Sequence, residues 1–277
     1  MKKSEPALRL LSVNFFPLLL VILLLSGCTG TQQPFSFVQV TDPQLGMGGY
    51  ENDKERLNQA VTQINEMEVD FVVFSGDLVH HASDSSFADF LQISAQLEVP
   101  YYVVPGNHDV GFVPDDTTLS RYRELFGDDY FTFNHKGITF VFTNTQLWKS
   151  DIGDASSIHD QWFRTTLENA GKKNRVVVVG HYPLYIKTPG EEEIYSNLPP
   201  DLRAGLLNLF ENNNVVAYLT GHRHEFIQHN HQGIQLVTAE TTSKNFDQRP
   251  FGFRKWTVEK DTVMHRFVAL DLLTAGQ

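Results

Sequence analysis

Cysteine is almost missing. The 277-residue chain has one, Cys28, so no disulfide can form within it and the core must carry the fold without covalent help. Basic residues are also scarce: 22 lysines and arginines stand against 33 aspartates and glutamates, a formal net charge of −11. That balance argues against nucleic acid as a bound partner, because the backbone needs a basic face. A phosphate group remains acceptable where metal ions reverse the local field. The one extended apolar run, Phe15 to Leu25 with Pro17 inside it, falls short of the roughly 20 residues a membrane-spanning helix needs. The chain has no internal repeat and no sustained heptad. It contains no G-x-x-x-x-G-K-[ST], G-x-S-x-G or H-E-x-x-H pattern, which removes three large groups of hydrolase chemistry.

Lys2, Lys3 and Arg9 precede the apolar run and "LSGC" follows it. A basic segment, a short apolar one and small residues before a cut describe a secretory signal peptide. The ending resembles the bacterial lipobox, which implies a lipidated Cys28 as the first mature residue. Residues 1–27 are therefore expected to be a lipoprotein signal peptide, 28–34 an anchor linker and 35–277 the single folded domain. More than one acyl chain anchors a protein stably, so the expectation is an exported protein, held on a membrane of the cell envelope at its periplasmic or extracytoplasmic face.

What recurs downstream is a short apolar run ending in a polar cluster: "FSFVQVTD", "DFVVFSGD", "YYVVPGNHD", "ITFVFTNT", "RVVVVGHYP" and "VVAYLTGHRH". Runs this short, β-branched and aromatic, read as buried strands. Between several of them lie helical spacings, as in "DKERLNQAVTQINEM", "SFADFLQISAQL", "SIHDQWFRTTLENAGKK" and "DLRAGLLNLFENN". Strands alternating with helices predict an α/β fold. The last third alternates more like antiparallel strands.

Functional groups of such sheets gather beyond the carboxyl ends of the strands. Five strand ends here carry Asp42 and Gln44, then Asp77, then Asn107, His108 and Asp109, then His181, then His222 and His224. Any one of them could be a turn or cap residue. Together, carboxylate, imidazole and amide donors after glycine-tightened ends suit divalent metals.

In order and spacing these motifs resemble those of the calcineurin-like metallophosphoesterases: D-x-H, GD, GNH[DE], GH and GHxH. Four match, over about Phe35 to His224; the first reads D-P-Q, with Gln44 in place of histidine, as in the branch of calcineurin-like phosphoesterase domain-containing proteins. The resemblance implies a four-layer α/β-β/α sandwich with mixed sheets and a site for two divalent ions, of Mn, Fe, Zn or Mg. It implies Asp77 as the bridge, Asp42, Gln44 and His224 on the first ion, and Asn107, His181 and His222 on the second. His108, oriented by Asp109, would face the phosphate and assist the leaving group. Two such cations activate a shared water for in-line attack on phosphorus and grip the phosphate oxygens. The implied activity is phosphoester hydrolysis, most simply of monoesters. Alternatives are a phosphodiesterase acting on nucleotides or lipid headgroups, and a non-catalytic metal- or phosphate-binding lipoprotein.

His80 and His81 follow "GDLV" and could reach substrate at the cleft rim, as could Arg254 in "FGFRKW". His135, His159, His229, His231 and His265 read as structural. The stretch Thr188 to Asp201, with its Gly, Pro and charge run, reads as a solvated loop or a mobile lid.

Overall fold

A computed structural model describes residues 33–271. Its first half runs β1 (Phe35–Val40), α1 (Tyr50–Asn65), β2 (Phe71–Ser75), α2 (Asp84–Ser94), β3 (Tyr101–Val104), α3 (Asn107–Val110), α4 (Asp116–Phe126), β4 (Phe131–His135) and β5 (Ile138–Phe142). The second half runs α5 (Gln146–Lys149), α6 (Asp154–Gly171), β6 (Arg175–Val179), α7 (Pro200–Asn212), β7 (Val215–Thr220), β8 (Ile227–His231), β9 (Ile234–Thr238), β10 (Gly252–Val258) and β11 (Val263–Ala269). Among the described residues, no helix is long and apolar enough to cross a membrane.

The strands form two mixed sheets. One has the order β11-β10-β1-β2-β3, the other β4-β5-β6-β7-β9-β8. The β1, β2 and β3 strands run parallel, as do β5, β6, β7 and β9, while β10, β11, β4 and β8 pair antiparallel. The expectation of antiparallel strands in the last third holds for the β10–β11 hairpin. It holds also for β9 against β8, while toward β7 the same strand runs parallel, because β8 reverses the chain between them.

Three apolar layers separate four layers of secondary structure. Between the sheets lie Phe37, Phe71, Phe140, Val177, Val179 and Trp256. Phe37 stacks on Phe71 at 5.1 Å and on Trp256 at 5.9 Å, contacts worth about 0.5–1.5 kcal/mol each beyond burial. The outer face of the first sheet buries Val38, Val72 and Phe74 against Leu57, Ala60 and Ile64 of α1 and Phe87 and Phe90 of α2. The outer face of the second buries Val176 and Val178 against Phe163 and Leu167 of α6 and Leu206 and Phe210 of α7. Strands buried on both faces need near-continuous apolar runs, which explains why "FVVF" and "VVVV" do not alternate. The expected four-layer α/β-β/α sandwich is the observed fold. The carboxyl ends of β1, β2 and β3 meet those of β6 and β7, and every donor motif follows one of these ends directly, Asn107 opening helix α3.

Candidate metal centre

The backbone at this junction adopts conformations that most residues avoid. Asp42, Gln44, Asp77, His222 and His224 all have positive φ, between 34° and 70°. Such left-handed, non-glycine positions cost free energy and cluster where function requires them. Two glycines permit the crowding. A Cβ at Gly106 would stand 2.1 Å from Asp77 Oδ1, and one at Gly221 would stand 2.3 Å from Asp42 Oδ2. Gly221→Ala is therefore expected to push Asp42 out of place and lower kcat/KM by about 10²-fold, the scale of an ångström-sized misplacement, while circular dichroism stays native. Wild-type kinetics would show that the loop can yield.

Two sets of buried donors converge, with atoms within 4.8 Å of one another: Asp77, His181 and His222, and Asp42, Asp77 and His224. Asp77 belongs to both. Its Oδ2 lies 3.3 Å from His181 Nε2 and accepts from Gln44 Nε2 at 3.4 Å. The imidazoles are aimed by their other nitrogens. His181 Nδ1 meets the Ser75 carbonyl at 2.8 Å, and His224 Nδ1 meets that of Lys244, the arrangement that fixes tautomer and ring direction in metal-binding histidines. Asp42 is held by two hydrogen bonds from the His222 amide, both 3.0 Å.

Three further atoms test whether cations fit here. Gln44 Oε1, Asn107 Oδ1 and His222 Nε2 are buried without a hydrogen-bond partner. An unsatisfied buried polar atom costs about 1–3 kcal/mol, yet all three belong to residues expected to bind metal. The electrostatics agree. Burial opposes ionisation of Asp77, but His181, His108 and His222 hold its carboxyl well below the usual range. Burial disfavours charge on His181 too, and the neighbouring carboxylates of Asp77 and Asp42 still lift it to about 9. Burial raises the Asp42 carboxyl and pushes the His222 imidazole well down. Buried carboxylates set among imidazoles, with unpaired oxygen and nitrogen donors in the same residue set, fit a pair of divalent cations.

His108 stands at the edge of the donor set. Its amide donates to Asp77 Oδ1 at 2.9 Å, and its ring Nδ1 meets the His80 carbonyl at 2.8 Å. Asp109 does not orient that ring, contrary to expectation. Its carboxylate accepts from the amides of Leu78 and Val79 and from Gly106, because successive residues on helix α3 project about 100° apart. Asp109 thus ties the Asp77 loop to the Asn107 turn. His80 stacks on His108 at 4.8 Å, with the exposed His81 beyond it at 4.4 Å from His80. Arg254 is not a substrate contact. It is buried in a two-point ion pair with Glu240, at 2.8 and 2.7 Å, with its third nitrogen against His265 and its plane on the Phe226 ring. The other histidines have structural partners: His135 with Asp70, His159 with Thr143, His229 with the Ile186 carbonyl and His231 with Glu211.

The stretch from Thr188 to Asp201 is not a free lid. Buried Arg203 donates to the carbonyls of Pro189, Glu191 and Leu198, and Lys149 Nζ reaches Glu193 and the carbonyls of Ile194 and Asn197. Its tip brings Tyr195 against the His222 ring at 4.9 Å and within 3.4 Å of Asn107 Nδ2. Phe112 lies 5.9 Å from Tyr195, and Phe246 stacks on His224 at 5.1 Å. These three aromatics were not among the expected site residues. The one sequence signal for the first of them is an apolar pair, Ile194–Tyr195, directly after the three glutamates 191–193.

A family profile described as calcineurin-like phosphoesterase matches residues 35–226. Serine/threonine-protein phosphatase CPPED1 of Danio rerio is 31% identical over 268 residues, covering 87% of this chain and 86% of the relative. CPPED1 of Bos taurus is also 31% identical, over 87% of this chain and 85% of its own. A crystal structure of a dimetal phosphatase from Danio rerio superposes with a TM-score of 0.65 at 16% identity, over 84% of this chain and 95% of that one.

Proposed function

The chain belongs to the calcineurin-like phosphoesterase family, and from that premise we propose that it hydrolyses phosphomonoesters at a centre of two divalent cations. The observation that carries the reading is the shared Asp77: one buried carboxylate common to two donor sets and met by the Gln44 amide, with the Gln44 and Asn107 oxygens buried and unpaired. Asp42, Gln44, Asp77 and His224 would hold one cation; Asp77, Asn107, His181 and His222 would hold the other. When bound, such a pair supplies charge stabilisation to a transferring phosphoryl group and a water of lowered pKa.

The protein's own groups do the rest. Ser75 and Lys244 carbonyls fix the imidazoles, and Asp109 locks two catalytic loops together. The His80 carbonyl directs His108 so that its Nε2 can serve the departing ester oxygen. Hydrolysis of an aryl monoester and its matching diester by metal-replete protein tests the reading. Monoester turnover exceeding diester turnover is expected; the reverse order would make it a diesterase, and turnover of neither would leave only a binding protein.

Gln44 supports placement in the D-P-Q branch, alongside the similarity to CPPED1. An amide replaces an imidazole without changing charge, so the exchange alters donor hardness alone. Gln44→His is expected to tighten the first cation or change its identity in elemental analysis; unchanged content and metal dependence would remove Gln44 from the donor set. We also read residues 1–27 as a lipoprotein signal and Cys28 as a lipid anchor to an envelope membrane. Both lie outside the described residues, and their support is the basic–apolar–"LSGC" order.

A further inference from the structure

We infer that Phe112 and Tyr195 form the leaving-group wall of the centre and select phosphomonoesters whose ester oxygen is carried by a planar aromatic ring. The inference rests on the phosphomonoesterase reading and specifies its substrate class.

An unbroken arc of rings borders the site. His80 meets His108 at 4.8 Å, His108 meets Phe112 at 5.9 Å, Phe112 meets Tyr195 at 5.9 Å, and Tyr195 meets His222 at 4.9 Å. Phosphate oxygens belong at the Asp77 end, where the charge is. The ester oxygen belongs at His108. Whatever that oxygen carries then lies against the next ring outward, Phe112, and the neighbouring Tyr195.

The backbone carrying each ring is held while the rings remain exposed, Phe112 at 52% and Tyr195 at 56%. The backbone carbonyl of Phe112 accepts from Gln146 Nε2 and Ser150 Oγ. The Tyr195 loop is pinned by Arg203 and Lys149, and by Glu191, whose carboxylate accepts from the amides of Ile186, Lys187 and Thr188 and from Asn197. Burial works against the Glu191 charge, yet these bonds hold its carboxyl at about 2, so the loop keeps its anchor through the neutral range. Rings carried on backbone fixed in advance bind a flat partner at a smaller ordering cost. An aliphatic ester leaves most of the two ring faces uncovered, whereas a phenyl group gains apolar burial and ring contact with them.

Tyr195 has a second, separable part. Its hydroxyl, 3.4 Å from Asn107 Nδ2, fixes the amide so that Oδ1 is left unpartnered for the cation side. The phenyl ring selects substrate; the hydroxyl positions Asn107.

The test uses the metal-loaded full chain and two probes that are not hydrolysed, phenylphosphonate and methylphosphonate, with binding measured by calorimetry. Rates with phenyl phosphate and glycerol phosphate accompany them. The wild type is expected to bind phenylphosphonate about tenfold more tightly, the scale of one or two ring contacts. Phe112→Leu should cut that preference severalfold and leave methylphosphonate binding unchanged. Tyr195→Phe should keep it, and Tyr195→Leu should lose it; the leucine variants preserve bulk, and their thermal melts report folding. Retention of the full preference in Phe112→Leu and Tyr195→Leu, in protein that turns over phenyl phosphate, overturns the wall alone. A folded, metal-loaded wild type that hydrolyses neither phosphate overturns the monoesterase reading, and the inference with it.

Discussion

Replacing Asp77 by asparagine is expected to strip both cations from the centre at once and lower kcat/KM by about 10³-fold or more, since each lost charge-stabilising group in such a site costs 10²–10³-fold. The substitution keeps shape. An asparagine carbonyl can still accept the His108 amide that now reaches Asp77 Oδ1 at 2.9 Å. What it removes is one of only two carboxylates in the donor sets, the one both sets share. Asp42→Asn should behave differently, weakening the set with His224 and sparing the set with His181 and His222. Elemental analysis after dialysis separates the two variants. Circular dichroism is expected to stay native, since asparagine matches the side chain in shape and tolerates the left-handed φ of 49° at this position. Two retained ions and an undiminished rate would dismiss Asp77 as the bridge.

His108→Ala is expected to leave the metal content intact and remove about 10²–10⁴-fold of turnover, the range of a positioned acid. The metal side should survive because the contact to Asp77 is made by the backbone amide, which alanine retains. The ring is held through Nδ1 by the His80 carbonyl at 2.8 Å and by stacking on His80, leaving Nε2 for substrate. A group that protonates a departing oxygen matters most when that oxygen is strongly basic. The loss should therefore be larger with phenyl phosphate than with p-nitrophenyl phosphate. An unchanged rate in metal-replete protein, or an equal loss with both esters, would take the acid role from His108.

Much of this was legible in the sequence because each donor sits beside the strand that places it. β-Branched runs give buried parallel strands, and a donor directly after each run must lie at the sheet's carboxyl edge. Asp42, Asp77, His181, His222 and His224 follow that logic, and the structure brings them together. Strands β4 and β8, "FTFNH" and "IQHNH", are not legible in the sequence because each alternates half-buried and exposed residues at a sheet edge and carries no apolar run.

Other failures arose where adjacency in sequence is not adjacency in space. Asp109 follows His108 and was expected to orient it, but a helical turn separates their directions. Arg254 carries a charge that seemed available, but its partner Glu240 comes from a different segment and buries it. The lid reading of Thr188 to Asp201 failed because its pins, Lys149 and Arg203, lie outside it. Tyr195 and Phe112 are joined only by that long-range arrangement, so no local pattern reveals the wall.

The central claim is a two-cation hydrolytic centre, and the most direct measurement is a titration of metal-stripped full-length protein with Mn²⁺ or Zn²⁺ while phenyl phosphate hydrolysis is followed. The account predicts no turnover without metal and full recovery only when two equivalents per chain are bound. Turnover in the stripped protein, or recovery complete at a single equivalent, would contradict it.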